Sequence, residues 1–552
     1  YDMNHLLRNH MNRRKFISFL SFSALYSSSR LSWGSDLYHI NSMSELRNFK
    51  PEYIGQEVYL ESYYVGVGRG GGYFTFHEGV RNDNGGTVIS AVGGGYWLRS
   101  LHNDLCLVYD FGARDDIDGF DSTNAIQGAI DNCNHISLGG GHFNISHPLY
   151  LRSNIIFDGD FGSLSSLAPK NSAFMQGSIF APGNYHPDFL QKIIKKQILD
   201  CKDNSIKLDD VSGFRKGDIV RISSHESTLS FGFWVENYIQ LSRIIKVDSL
   251  NKTLIIEHPI SFHGELELCL ASTNSVKARF GRPLFCCSDT IVRNTEVNTW
   301  DYWIADSCTY NMLFENIYGS AKSVVYGNSY CYTTFKNIRI KFTGSVSELA
   351  FGSHFTTLEG IYAISSNDGV SKKEMISWTE AGRNCTLSRF LLRINNNETP
   401  STIIRISGHS NAIIRNGQIF IFSNPNNILS VENYGNGQPE CVNITYSNID
   451  VYAKESINVF CDVFKANDTA AIEKVSFHNV RYFGMKPKVA LLRLRGTPLN
   501  TISGVDAIIY SKYGGDAKIA HAKENYIHLA SVAYESTTED FSTNNVTYSK
   551  VN

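Results

Sequence analysis

The chain lacks most of the signals by which enzyme families are recognised. Its 552 residues contain no HExxH zinc motif, no phosphate-binding loop, no dinucleotide fingerprint and no Ser-His-Asp order. The eleven cysteines are an odd number without C-x-x-C spacing, which indicates neither a disulfide framework nor a zinc site. We therefore expect eleven free thiols, no metal and no cofactor.

An excess of charge of one sign is also missing. The 51 basic and 53 acidic residues give a net charge of −2, and no long basic run occurs downstream of residue 35. Nucleic acid is therefore not an expected partner. The apolar run FISFLSFSALY, at residues 16–26, is too short to span a bilayer.

What is present is a series of short segments in which apolar and polar residues alternate. They recur every 21 to 32 residues and align at Asn294, Asn316, Asn337, Gly360, Arg389, Asn416, Asn448, Asn479 and Gly504. A second series, from DYWIADS to ALLRLRG, lies between them. Repeats of this length that each carry strands predict a β-solenoid, whose successive coils stack about 4.8 Å apart.

The stretch from Tyr109 to Gly159 adds a resemblance. DFGARDDIDGFDSTNAIQGAIDNC predicts a helix with Asp121 as its N-cap, and HISLGGGHFNISHPLYLRSNIIFDGD supplies the first coils. Together they resemble the opening of pectate-lyase-like right-handed parallel β-helices. This resemblance implies an all-β solenoid whose open end is covered by a capping helix.

A second resemblance lies at residues 36–103, predicted to be a small β module. IGQEVYLESYYVGVGRGGGYFTFHEG, NGGTVIS and GGYWLRS are similar to the module that precedes the β-helix in bacteriophage tailspike depolymerases. The β-helix is then predicted over 104–510, with an inserted β subdomain near 200–270. Residues 511–552 are predicted to be a C-terminal cap or trimerising tail.

The first 35 residues do not share the pattern of the body. NRRKFISFL resembles a twin-arginine export signal, and the alternative is an apolar peg that docks into a larger particle. We expect residues 1–35 to be dispensable for folding.

Candidate catalytic residues come from aligning the second series. The alignment puts Asp306, Ser353, Glu380 and Gly408 in one column, and Ser329, His354, Ala381 and His409 in the next. Glu380 and His354 would then lie about 5 Å apart, with Tyr330 and Arg383 assisting. Glu348 could approach Glu380, and Asp301 with Asp306 would form a second pair. The alternative for a lone histidine at a coil corner is a structural role.

Substrate binding is predicted from aromatic residues, which are 12% of the chain. Trp234 and Glu236 in the insertion would form one wall of a sugar groove or a trimer contact, and Tyr302, Trp303 and Trp378 are further candidates. The alternative is that the aromatic residues stack in rows inside the coil.

Three functions remain open. The resemblance implies a homotrimeric, tailspike-like depolymerase in a virion tail, docked through its N-terminus to a tail or baseplate protein. It would cleave a bacterial capsular or surface polysaccharide by hydrolysis or β-elimination. The alternatives are a monomeric polysaccharide lyase or hydrolase exported by the twin-arginine route, and a non-catalytic glycan-binding adhesin. The sequence identifies neither the polysaccharide nor whether the site lies within or between subunits.

Overall fold

The structure is a computed structural model that describes most of the chain. The described residues are 37–170, 177–181, 195–224, 229–231, 234–236, 239–260, 266–272, 286–304, 308–328, 330–350, 352–366, 374–395, 400–433, 440–465, 471–497, 502–531 and 545–550. The predicted leader and Asp306 lie outside these residues, as do the side chains of Trp234, Glu236 and Glu380.

A small five-stranded sheet comes first. Its strands, in spatial order, are Tyr38–Ile40, Glu57–Leu60, Gly72–His77, Tyr96–Arg99 and Val88–Ser90. The first pair is parallel and the others are antiparallel. The helix Met43–Asn48 packs beside them and begins at Ser42, whose hydroxyl accepts a hydrogen bond from the backbone N–H of Glu45.

Buried Arg99 joins this module to the coils that follow. It donates hydrogen bonds to the carbonyl oxygens of Gly70, Gly71 and Gly86, and it contacts Asp110 at 3.1 Å. Gly70 has φ +71°, and a Cβ there would lie 2.2 Å from the carbonyl oxygen of Tyr109. The glycine run therefore permits a close approach between the module and the first coil.

The body is a parallel β-helix, as predicted. Its longest sheet, here called the long sheet, has 18 parallel strands. They are Leu105–Leu107, His135–Ser137, His142–Ile145, Ile156–Asp158, Ser163–Ser166, Ile291–Asn298, Leu313–Ala321, Thr334–Phe342, Thr357–Ser365, Thr386–Ile394, Ile413–Ile421, Cys441–Ala453, Ile472–Phe483, Ile502–Ser503, Asp506–Ser511, Ala522–Lys523, Tyr526–Ser531 and Asn545–Lys550.

Two further sheets complete the coils. The second sheet has 11 strands: Leu149–Tyr150, Phe180–Ala181, Tyr302–Ile304, Ser323–Asn328, Ser347–Ala350, Glu374–Arg383, Thr402–Ser410, Asn427–Asn433, Val459–Lys465, Ala490–Arg495 and Ala517–Ala520. The corner sheet has three: Cys286–Ser288, Cys308–Tyr310 and Tyr330–Cys331. Buried apolar residues between Cys106 and Leu529 form one continuous core inside the coils.

The predicted capping helix is Thr123–Asn132, and it follows a 3₁₀ turn at Val108–Phe111. It buries Ile126, Ala129 and Ile130 against the first coil. Its N-cap is Ser122 rather than Asp121, whose carboxylate instead accepts hydrogen bonds from Thr123 and from the Ser146 hydroxyl. No helix among the described residues is long and apolar enough to cross a membrane.

The expectation of eleven free thiols is wrong, because Cys106 and Cys133 form a disulfide. The residues are 27 positions apart in sequence. The fold brings them together because the capping helix ends against the strand Leu105–Leu107. The bond therefore joins the cap to the first coil.

An antiparallel sheet is inserted in the chain between the strands Phe180–Ala181 and Cys286–Ser288 of the coils. Its strands, in spatial order, are Lys195–Gln197, Leu266–Ser272, Ile219–Ser224, Ile239–Asp248, Thr253–Ile256, Ser205–Lys207 and Asp200–Lys202. A separate pair, Leu229–Phe231 and Trp234–Glu236, accompanies it. The insertion has its own core, which includes Ile206, Val220, Ile244 and Leu254.

The residues that align the repeats share one backbone conformation. Every one of them has a φ between 50° and 68°, from Asn294 through Arg389 to Gly504. Asparagine and glycine tolerate this left-handed conformation better than other residues do. Those from Asn294 to Asn479 therefore turn their strands of the long sheet at the same point in each coil. The alignment of Gly504 is wrong, because Gly504 lies beside Lys474 rather than beside Asn479.

The asparagines also bond to one another along the helix. Amide side chains donate from Asn316 to Asn294 at 3.1 Å and from Asn337 to Asn316 at 3.1 Å. Farther along, Asn448 donates to Asn416 at 3.2 Å and accepts from Asn479 at 2.8 Å. We call this column the asparagine ladder. It holds successive coils in register.

The ladder predicts a difference between two substitutions of Asn448. Both Asn448→Ala and Asn448→Gly remove its two side-chain hydrogen bonds, which contribute about 1 kcal/mol each. Alanine also adopts the left-handed conformation at an added cost of about 1–2 kcal/mol, part of which the flexibility of unfolded glycine offsets. We expect the alanine variant to be less stable than the glycine variant by about 1 kcal/mol in urea unfolding. Equal stabilities would contradict the role of backbone conformation in the ladder.

Candidate functional site

The predicted column around His354 is shifted in the structure. His354 pairs with Cys331 on one side and with Arg383 on the other, whereas His409 pairs with Gly382. The predicted partners of His354 were Ser329 and Ala381, so the alignment is wrong by two residues. An irregularity in the strand between Thr379 and Gly382 accounts for part of the shift.

Burial further corrects the expectation of an open surface here. Tyr330 is fully buried and His354 is 2% exposed, although Arg383 is half-buried. The neighbouring His409 is also buried, and this burial, together with the charge of His354, lowers the pKa of His409 to about 3. His409 is therefore neutral at physiological pH. The catalytic roles of His354, Tyr330, Arg383 and Glu380 stay predictions.

The aromatic candidates on the second sheet lie in the core. Tyr302, Trp303 and Trp378 are 2%, 1% and 0% exposed, so they offer no face to a sugar. The Trp303 ring nitrogen donates to the carbonyl oxygens of Val297 and Ser320 inside the coil. These residues are therefore internal, as the alternative held, but Trp378 is in register with Leu349 and Ile406 rather than with aromatic residues. Trp234 and Glu236 lie in a strand of the insertion, and the structure does not describe their side chains.

The remaining acidic candidates differ in position. Asp301 is 2% exposed, and burial raises its pKa. Its proposed partner Asp306 lies outside the described residues. Glu348 is half-buried on the second sheet, in register with Ser377 of the next coil. That column continues through Arg405, Ser430, Asp462 and Arg493.

This column belongs to a group of charged side chains on the second sheet. All but Glu374, which begins its strand, alternate along the strands with core residues such as Ile404, Val431 and Val463, so they point away from the core. We call the group the charged row; its members are Glu374, Arg405, Glu432, Asp462, Arg493 and Arg495. It contains three carboxylates and three guanidinium groups.

Asp462 forms one end of the charged row. It is fully buried and accepts two hydrogen bonds from Arg493, at 2.8 and 2.7 Å, and one from Arg495 at 2.9 Å. A carboxylate that accepts three hydrogen bonds from guanidinium groups is held in one position. The Arg495 guanidinium also lies 4.0 Å from the centre of the Phe464 ring. Asp462 therefore positions the two arginines.

Glu432 and Glu374 form the other end. Arg405 contacts Glu374 at 2.5 Å through Nη1 and Glu432 at 3.6 Å through Nε. One oxygen of Glu432 accepts a 2.8 Å hydrogen bond from Ser430, and the other has no hydrogen-bond partner although the side chain is buried. A buried carboxylate oxygen without a donor is costly, and such groups are found at functional sites.

The arrangement brings two carboxylates to one guanidinium from opposite sides. Because both contact Arg405, their separation is no wider than the roughly 9.5 Å found between the carboxyl groups of inverting glycosidases. Among the described residues, no group of three or more His, Cys, Asp or Glu side chains is placed to hold a metal. Two carboxyl groups at such a separation can act as an acid and a base.

Sequence analysis missed the charged row. Part of the signal was nevertheless present in the second series, where Asp462 of DVFKAND and Arg493 of ALLRLRG take the same position of consecutive coils. Charges of opposite sign at the same position of consecutive coils predict an ion pair across the coils.

Comparison with known proteins identifies one part of the chain. Residues 39–103 match a family model described as the phage tail protein small four-stranded β-sheet domain. The N-terminal module is similar to a phage tail domain. This match confirms the tailspike resemblance of the module that the sequence indicated.

Several solved structures are broadly similar. Full-length tailspike protein 2 from an Escherichia coli O157:H7 bacteriophage is 14% identical, over 84% of this chain and 54% of that chain, with a TM-score of 0.36. Tailspike protein gp49 from Pseudomonas phage LKA1 is 11% identical over 80% of each chain, with a TM-score of 0.35. The surface adhesin PfbA of Streptococcus pneumoniae is 9% identical, over 81% of this chain and 92% of that chain, with a TM-score of 0.42. The chain thus spans about half the length of the first of these, and scores at this level carry no argument about activity.

Proposed function

We propose that this chain is a tailspike-like depolymerase of a bacteriophage tail that hydrolyses a bacterial surface polysaccharide at the charged row. The observation that carries the proposal is the pair of carboxylates, Glu374 and Glu432, on the single guanidinium of Arg405. The phage tail match of residues 39–103 supports the virion location.

In the proposed reaction, Glu432 donates a proton to the glycosidic oxygen as the bond from that oxygen to the anomeric carbon breaks. Glu374, held by Arg405, accepts a proton from the water whose oxygen bonds to the anomeric carbon. Glu432 thus loses one proton while Glu374 gains another, and proton exchange with solvent restores both groups. Water supplies the new hydroxyl at the anomeric carbon, and the glycosidic oxygen leaves as the hydroxyl of the other sugar. Arg493 and Arg495, positioned by Asp462, would hydrogen-bond the sugar beside the cleaved bond.

The substitution Glu432→Gln tests this directly. It preserves side-chain volume but removes the transferable proton, and loss of a general acid lowers rate by about 10² to 10⁴. Purified capsular and other surface polysaccharides would be incubated with the chain, and the products analysed by mass. We expect cleavage by the unmodified chain with addition of one water per bond, and almost none by Glu432→Gln.

The matched control is Glu359→Gln. Glu359 also pairs with an arginine of the next coil, Arg389, but it lies on the long sheet. This variant should cleave at the normal rate. If the products carry unsaturated uronate, the reaction is β-elimination rather than hydrolysis. If the chain binds the polysaccharide without cleaving it, the result favours the adhesin. Cleavage that survives Glu432→Gln but is lost in Glu380→Gln or His354→Ala would move the site to the His354 turn.

We also propose that the chain is a homotrimer that associates through an aromatic column on the long sheet. Phe420, Tyr452 and Phe483 stack face to face at 4.9 Å, so the exposed part of the column consists mainly of ring edges. They adjoin a groove of about 870 Å³. Nearby Met485 is 52% exposed and Tyr513 is 48% exposed. Ring edges and a methionine suit another protein surface better than a sugar, and three copies of one chain would cover the column.

Light scattering of the purified chain tests the assembly. We expect about three times the 61.9 kDa of one chain, and a lower mass for Phe483→Lys, since a buried unpaired charge would oppose association. A mass of one chain at micromolar concentration would contradict the trimer and favour the monomeric exported enzyme.

A further inference from the structure

A second column of left-handed residues runs along the corner of the coils. Its members with positive φ are Asn154, Asp289, Asn311, Tyr332, Phe355, Asn384, Asn411, Asn443, Lys474, Gly504 and Glu524. Between Asn154 and Asn443 all but two are Asp or Asn, the residues that tolerate this conformation best. Tyr332 and Phe355, at φ 52° and 53°, are bulky residues for which it is unfavourable. At these two coils an aromatic ring replaces the conformationally easier residue.

The two rings continue a stack that begins in the insertion. The His258 ring lies 4.0 Å from the Tyr332 ring at 16°, and Tyr332 lies 4.8 Å from Phe355 at 11°. Tyr332 packs on a small core in which Ile219 and Leu241 of the insertion meet Tyr310 of the coil. The contacts by which Tyr332 anchors the insertion therefore explain why a tyrosine occupies this left-handed position.

Phe355 also meets the insertion, at the His258 ring, whose centre lies 6.2 Å away, but it lies outside that core and is 45% exposed. Tyr332 stacks on its ring at 4.8 Å, and Asn384 is the next position of the column. A left-handed phenylalanine that is this exposed is strained with little burial to offset the strain, and such strain is concentrated at functional positions.

The surroundings of the ring are polar. Asn384 is half-buried, and the side chains of Glu257 and His258 are 41% and 32% exposed. Glu257 is held by a 2.6 Å hydrogen bond from the Tyr310 hydroxyl and by Arg243 at 3.4 Å. Glu257 and His258 are neighbours in the chain, and the His258 ring stacks on Tyr332, so the carboxylate belongs to the same corner as the aromatic stack. A partly exposed aromatic ring with polar groups in its neighbourhood can accept the C–H face of a sugar ring while those groups hydrogen-bond its hydroxyl groups.

We infer that Phe355 is the stacking platform of a sugar-binding subsite at the corner of the coils, separate from the charged row. The inference rests on the proposed function in that the ligand is the same polysaccharide, but it does not depend on cleavage. The subsite holds the chain of sugars while acid–base chemistry occurs on the second sheet.

The substitution Phe355→Asn separates binding from folding. Asparagine occupies the same column at positions 311, 384, 411 and 443, so it suits the backbone while removing the ring. The matched control is Phe161→Asn, because Phe161 is also left-handed, at φ 62°, and 66% exposed, but lies in a turn near the first coils. The full-length chain would be applied to an array of purified capsular, O-antigen and exopolysaccharides, and its melting temperature measured.

We expect Phe355→Asn to bind its polysaccharide about tenfold more weakly, with a melting temperature equal to or above that of the unmodified chain. Phe161→Asn should bind normally. Unchanged binding by Phe355→Asn would overturn the inference, even if Glu432→Gln abolishes cleavage and so supports the proposed function. Weakened binding together with a lower melting temperature would assign Phe355 a structural role and also overturn it. Absence of binding by the unmodified chain to every polysaccharide would count against both proposals.

Discussion

The structure depends on a backbone constraint that is repeated in every coil. One residue of each turn in the long sheet adopts a left-handed conformation, and where that residue is asparagine its amide bonds to the residue above or below. Gly360 adopts the same left-handed conformation in a coil that has no asparagine at this position. A Cβ at Gly360 would lie 2.8 Å from the side-chain oxygen of Asn337. Because the ladder fixes the register, outward side chains of the second sheet also align. Residues about 30 positions apart in sequence therefore become neighbours, as in the pair of Arg493 and Asp462.

The charged row is difficult to explain by stability alone. Removing carboxylates and guanidinium groups from water has a desolvation cost that their mutual attraction often fails to exceed. Three hydrogen bonds from arginines offset that cost for Asp462. Glu432 is also buried, but one of its carboxylate oxygens accepts no hydrogen bond. The charges are therefore better explained by the chemistry that we propose for them, which is why the proposed reaction is placed there.

The sequence was sufficient for the fold and insufficient for the site. The turn positions of the long sheet could be predicted residue by residue from Asn294 to Asn479, because asparagine and glycine are the residues that a left-handed turn selects. Gly504 was misaligned, since it lies beside Lys474 in the next column. The columns of the second sheet could not be predicted in this way, because loops of unequal length separate its strands. His354 was therefore misaligned by two residues. The disulfide of Cys106 and Cys133 was also missed, because only the docking of the capping helix brings the two cysteines together.

The central claim is that the polysaccharide is cleaved on the outer face of the second sheet. A crystal structure of the Glu432→Gln variant, soaked with oligosaccharides released by the unmodified chain, tests it most directly. The account predicts a sugar in contact with Arg405, with its glycosidic oxygen within hydrogen-bond distance of position 432. Sugars bound only along the aromatic column at Phe483, or only at the His354 turn, would contradict it.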